Sequence, residues 1–134
     1  MTATVTPRNT SRRDAALFSF PLAATKALAG TIAVLNSSGF ATGATTATGL
    51  IAVGVFEDTV DNSGGSAGDL SATVRRGTFL FANSASADAI ANTDIGATCY
   101  LVDNQTVAKT SGSGTRSVAG TVRFVDATGV WVEF

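Results

Sequence analysis

The chain has no histidine, one cysteine, one tryptophan, one tyrosine and two prolines among 134 residues. Without histidine, no Ser-His-Asp or Cys-His arrangement can form within the chain, and no imidazole-based metal site can form either. A single cysteine, Cys99, excludes an intrachain disulfide and a Cys-rich zinc site. In ATCYLV it lies in an apolar strand, where a buried small hydrophobe is favoured over a reactive thiol. No phosphate loop of the GxxxxGK[ST] type occurs, and no GxGxxG. The glycines of NSGGSAG, Asn62 to Gly68, lack the lysine such a loop needs. No run of 18 apolar residues exists, so a membrane span is not expected.

What is present is small. Ala numbers 23, Thr 20 and Gly 14, whereas Leu, Ile, Val and Phe together number 33. That suffices for one compact domain with a modest core. A chain of this kind often gains stability from partners. The acidic stretch EDTVDN, Glu57 to Asn62, does not match the spacing of a calcium loop and reads as a solvated polar loop. Asp88, Asp94 and Asp103 fall in turn-like segments and read as turn and cap residues, not as a catalytic pair. No catalytic residue, cofactor or metal is therefore expected.

The N-terminus carries SRRDAALF, Ser11 to Phe18, which imitates a twin-arginine export signal. Pro21 and Lys26 interrupt the short apolar run that follows, so export is not expected. Residues 1–30 hold Arg8, Arg12, Arg13 and Lys26 against Asp14, while the rest of the chain is net acidic. We read residues 1–25 as an extended basic arm and residues 26–134 as the folded body. A basic arm on an acidic body suggests docking on an acidic neighbour, with nucleic acid the rival. Three arginines without a basic body or a stacking surface argue against direct nucleic-acid binding. Phe18, Phe20 and Leu22, spaced by two, are the expected apolar anchors of the arm on a neighbouring chain.

The body reads as all-β, with seven to nine short strands separated by Gly and Ser turns, a small barrel or sandwich. KALAGTIAVLN is a strand pair or one bent strand with Gly30 at the bend. GLIAVGVFED is a strand with a bulge or close approach at Gly54. Thr73 to Phe81, TVRRGTFLF, alternates badly, with an arginine on each apolar face. A bulge at Gly77 repairs part of this. Ser84 to Ala91 is expected to make one helical turn, capped by Ser84 or Ser86. Asp103-Asn104, residues that tolerate positive φ, close one hairpin, and Asp126 to Gly129 close another. In the last hairpin Val118, Val122 and Phe124 should share a face, as should Val130, Val132 and Phe134, with Trp131 opposite.

The order of these segments resembles the capsid decoration, or cement, proteins of tailed bacteriophages. The resemblance rests on Ala52-Val53-Gly54-Val55, the Gly-rich turn Asn62 to Gly68, and Arg76-Gly77-Thr78-Phe79. It continues through Gly96 to Leu101, Ala119-Gly120-Thr121-Val122 and Gly129-Val130-Trp131-Val132. It implies a non-enzymatic virion protein on the outer capsid surface that stabilises the shell by bridging major capsid subunits. It also implies sister-subunit contacts, a homotrimer before a dimer. Arg75 and Arg76 are then expected to straddle an interface, one toward a sister subunit and one toward the capsid, because Arg is enriched at interfaces. The alternative for either arginine is a side chain that snorkels to solvent at a strand end. The alternative function is a β-rich fibre, spike or receptor-binding module, which exposed aromatics around Trp131 would favour.

Overall fold

The structure, a computed structural model, describes residue 3, residues 5–8 and residues 17–134. Arg12 and Arg13 lie outside the described residues. The all-β expectation holds. Among the described residues twelve strands run in chain order as β1 (Leu17–Pro21), β2 (Lys26–Ala27), β3 (Ile32–Leu35), β4 (Ala41–Gly43), β5 (Ile51–Phe56) and β6 (Val60–Asp61). They continue as β7 (Ser71–Arg75), β8 (Thr78–Asn83), β9 (Thr98–Leu101), β10 (Thr106–Ala108), β11 (Val118–Asp126) and β12 (Gly129–Glu133). Helix among the described residues is confined to two short 3-10 turns, Ser86–Asp88 and Asn92–Asp94.

Of the two expected architectures, the barrel occurs, with an additional open sheet. β10-β8-β12-β11-β9 close into a barrel, and β1-β7-β5-β3-β4 form an open sheet beside it. Barrel and sheet share one core. Phe81, Cys99, Leu101, Val107, Val122, Val130 and Val132 meet Ile32, Val34 and Val55 from the sheet. The sheet's other face buries Ala33, Ala41, Phe56, Ala72 and Val74 with Leu22 and Ala27. The two-stranded ribbon β2–β6 supplies Ala27 and Val60 to that second cluster. With so many alanines inside, the buried area per residue is modest.

TVRRGTFLF is two strands and not one. β7 pairs with β1 and β5 in the open sheet, and β8 pairs with β12 and β10 in the barrel. Arg76-Gly77 is the crossing between them. The expected bulge at Gly77 is thus corrected to a change of sheet, and each half alternates cleanly on its own. Ala72 and Val74 point into one core, and Phe81 into the other, with Phe79 packed against it.

The last hairpin departs from the expected faces. Register shifts in β11 fall between Val118 and Thr121 and again between Val122 and Phe124. Each inserts one residue and flips the strand's faces. Val122 is therefore buried, while Val118 and Phe124 are exposed. Val130 and Val132 do share the inner face, and the Phe134 ring lies edge-on to Phe81 at 5.7 Å. Two smaller corrections concern turns. The 3-10 turn at Ser86 is preceded by Ala85 and has no side-chain cap. Asp103 and Asn104 keep negative φ, and the turn is held by the Gln105 N–H donating to Asp103 Oδ1 at 2.9 Å.

The arm boundary also moves. Leu17–Pro21 pairs along its length with β7 of its own chain, Leu17 against Arg75 and Phe20 against Ala72. Leu22 is fully buried, its N–H bonded to the Leu70 carbonyl and its carbonyl accepting from Gly68 N–H and Asn62 Nδ2. Buried Asn62 also donates Nδ2 to the carbonyls of Ala23 and Ser66. Leu17–Pro21 thus belongs to the sheet of the body, and Leu22 packs in the core of its own chain.

Two stability tests follow from this packing. Gly54 has φ 141°, and a Cβ there would lie 2.2 Å from the Arg75 carbonyl oxygen. Gly54→Ala should cost about 3 kcal/mol or more in urea denaturation. Gly64→Ala, where a Cβ meets open space, should stay within about 0.5 kcal/mol of wild type. Deleting residues 1–24 removes β1 and the Leu22 anchor. That deletion should lower stability by more than the 2–5 kcal/mol typical of one buried leucine. Deletion of residues 1–16 leaves every strand described here intact and should keep the urea midpoint near wild type.

Candidate functional site

The end of β7 leaves an opening in the sheet. β5 is paired with β3 from Ile51 to Val55, but with β7 only at Val55 and Phe56. β1 lies on the far side of β7 and begins level with Arg75. Once the chain departs through Arg76-Gly77, no strand among the described residues pairs with the first residues of β5 on that side. A groove of about 320 Å³ opens there, lined by Phe18, Phe20, Ile51, Ala52, Val53 and Arg76. A bulge shapes its wall: Ala33 faces Gly54 while Val34 faces Ala52, so Val53 is the extra residue. The Gly54 expectation of a bulge or close approach is met on both counts.

The groove is apolar except for one charge. Arg76 makes no hydrogen bond or ion pair with any described residue and is exposed at the rim. Ile51 is 63% exposed, a large amount for an isoleucine in a strand. The arginine beside it behaves differently. Arg75 donates Nε and NH2 to the two carboxylate oxygens of Glu57, at 2.8 and 2.7 Å. This fork-on-carboxylate pair lies across β5 and β7 and holds the Glu57 carboxyl below its ordinary pKa, chiefly through the hydrogen bonds. Arg75 is thus engaged within its own chain, and in this structure only Arg76 remains available for a partner.

Of the other expected contact residues, Phe18 and Phe20 line the groove. Leu22 lies in the core beneath the sheet, and Arg8 is exposed. The sequence reading missed Ile51, Ala52 and Val53. Their signal was present in GLIAVGVF, an apolar run too continuous for a strand with one wet face. It also named only Trp131 on the barrel wall. Phe124, Trp131 and Leu80 stand side by side on three adjacent strands. Phe124 is 54% exposed and Leu80 40%. Asp126 Oδ1 accepts the Thr128 N–H at 2.7 Å in the turn between β11 and β12.

Elsewhere the polar groups serve turns. Asp94 Oδ2 accepts the Ala91 N–H at 2.8 Å, and Asp88 accepts from Thr110 Oγ1 and Arg116 NH1. The Cys99 thiol is buried, and burial pushes its pKa up to about 11. Among the described residues no three His, Cys, Asp or Glu side chains gather as a metal site. No helix among them is long and apolar enough to cross a membrane. No protein-family model, no curated protein and no solved structure matches the chain.

Hydrogen bonds lower the pKa of Glu57, Asp61, Asp88, Asp94 and Asp126. A carboxylate whose folded pKa is depressed stabilises the fold above its ordinary value, and that stability is lost as pH falls through the lowered one. The urea midpoint should therefore be level from pH 7 to about pH 5 and fall as pH drops below the ordinary values of 4.5 and 3.8. Arg75→Ala should raise the Glu57 titration midpoint in carboxyl-detected NMR. A midpoint unmoved by the substitution would mean that the Arg75–Glu57 pair does not persist in solution.

Proposed function

We propose that this chain is a structural virion protein that binds the outer surface of an assembled phage capsid and stabilises it by bridging neighbouring major capsid subunits. The observation that carries the reading is the groove, an apolar slot on an all-β body with one uncommitted arginine at its rim. Such a site grips another polypeptide and holds no constellation for chemistry. The resemblance to decoration proteins supports it from the sequence side, and its segments fall on β5, the loop after β6, the β7–β8 crossing, β9, β11 and β12 in that order.

The mechanism is mass action. A protein that binds only the assembled lattice lowers the free energy of that lattice relative to its free subunits. Repetition around the shell multiplies a modest affinity through avidity, which a homotrimer would use more effectively than a dimer. In this reading Arg76 faces the capsid protein, and Arg8, Arg12 and Arg13 add longer-range attraction that salt would screen. The protein acts without cofactor, membrane or nucleic-acid partner.

A fibre or receptor-binding module is the second reading, and the Phe124-Trp131-Leu80 row favours it. Flat exposed aromatic surface is what a glycan or a host protein would use.

Purified protein should scatter light as a particle near three times the 13.5 kDa of one chain. Added to undecorated capsids, it should co-sediment with them and raise the temperature at which they release DNA. Arg76→Glu should weaken co-sedimentation at least tenfold while leaving the fold intact. Failure of the wild-type protein to bind any assembled shell, together with binding to host-cell surfaces lost in Trp131→Ala, would replace the capsid reading with the second one.

A further inference from the structure

We propose that the Gly-rich loop after β6 holds a calcium ion between the side chains of Asn62 and Asp69. The first observation is a buried oxygen with nothing to accept. Asn62 is 2% exposed. Its Nδ2 donates to the carbonyls of Leu22, Ala23 and Ser66, at 3.2, 3.1 and 3.0 Å. Those carbonyls fix which end of the amide is nitrogen, because a flipped amide would set oxygen against oxygen. Oδ1 therefore points the other way, toward Gly65. No described residue donates a hydrogen bond to it, and a buried acceptor without a donor is costly.

The atom it faces is also an acceptor. One point beside Gly65, where a Cβ would stand, lies 2.6 Å from Asn62 Oδ1 and 3.0 Å from Asp69 Oδ2. Two oxygens thus converge on a space that is open because residue 65 is glycine. Asp69 Oδ2 accepts the Ser66 N–H at 2.9 Å, but its carboxylate forms no ion pair with a described residue. A bridging water would satisfy both oxygens and leave that charge unbalanced. A cation does both. Asp61 is not counted as a ligand, because its Oδ1 already accepts the Ser63 N–H at 3.0 Å and the Ser63 hydroxyl.

The donor atoms choose the ion. An amide oxygen and a carboxylate, completed by water, suit calcium. Magnesium demands tighter octahedral geometry and gives up water reluctantly. With one carboxylate the affinity belongs at the weak end of the calcium range, a Kd of about 10⁻⁴–10⁻³ M. The ion would brace the same amide that holds Leu22 and Ala23, so it stabilises the attachment of β1. The capsid reading does not depend on it.

The test is an amide NMR titration of the full-length protein with CaCl2, with NaCl at matched ionic strength as control. Calcium should shift the signals of residues 62–69, approach saturation by about 10 mM, and raise the urea midpoint. Asp69→Asn keeps an oxygen for the Ser66 N–H and loses the charge. It should weaken calcium binding at least tenfold while the rest of the amide spectrum is retained. Gly64→Ala, whose Cβ would meet open space, should bind as wild type does. Three results overturn the proposal. One is no saturable shift in this loop. Another is the same shift in NaCl, which leaves a bridging water and an ionic-strength effect. The third is an Asp69→Asn protein that binds calcium as tightly as wild type. No capsid enters the titration, so its failure leaves capsid co-sedimentation as a separate result.

Discussion

One strand cannot serve two sheets without leaving one of them, and the passage through Arg76-Gly77 is where this chain does so. β7 must stop at Arg75 because β8 belongs to the barrel. That departure joins the two layers around a common core and leaves the start of β5 without a paired strand on that side among the described residues. The close approach of Gly54 to the Arg75 carbonyl fixes where the strands part. The groove is therefore a consequence of how the layers are connected. It needs no insertion or separate domain.

The two adjacent arginines show how position decides the use of a charge. Arg75 still lies in the sheet, and Glu57 stands across from it at hydrogen-bonding distance. Arg76 is one residue further along, where β5 offers Ala52 and Val53 instead of a carboxylate. A guanidinium with no partner beside an apolar wall is tolerated because it stays hydrated. It is the one charged side chain among the residues that line the groove.

Stability here comes from many small burials. The cores are largely valine and alanine, with Phe56, Leu22, Ile32 and Leu101 the largest fully buried side chains. Leu22 matters more than its size because three hydrogen bonds to its backbone tie β1, the Gly-rich loop and buried Asn62 together. The Gly-rich loop Asn62 to Gly68, which lacks the lysine of a phosphate loop, is a clamp on Leu22 and Ala23.

Composition and local pattern sufficed for the all-β class, the turns at Gly30 and Gly129, the bulge near Gly54 and the burial of Cys99. These depend on neighbours in sequence, on φ angles and on two-residue alternation. The same pattern misplaced Val118 and Phe124, because each inserted residue in β11 reverses the faces and leaves no trace in composition. It also read Leu17 to Leu22 as an arm. A short apolar strand at an edge looks the same whether it pairs with its own chain or with another, and only the partner strand β7 distinguishes them. The groove was not legible for a further reason. Its walls come from residues about thirty positions apart along the chain, brought together only because β1 and β5 both pair with β7. Alternation reports which way a side chain points relative to its own strand; which strands stand beside it is decided by closure of the barrel and by the sheet to which each half of Thr73 to Phe81 is drawn.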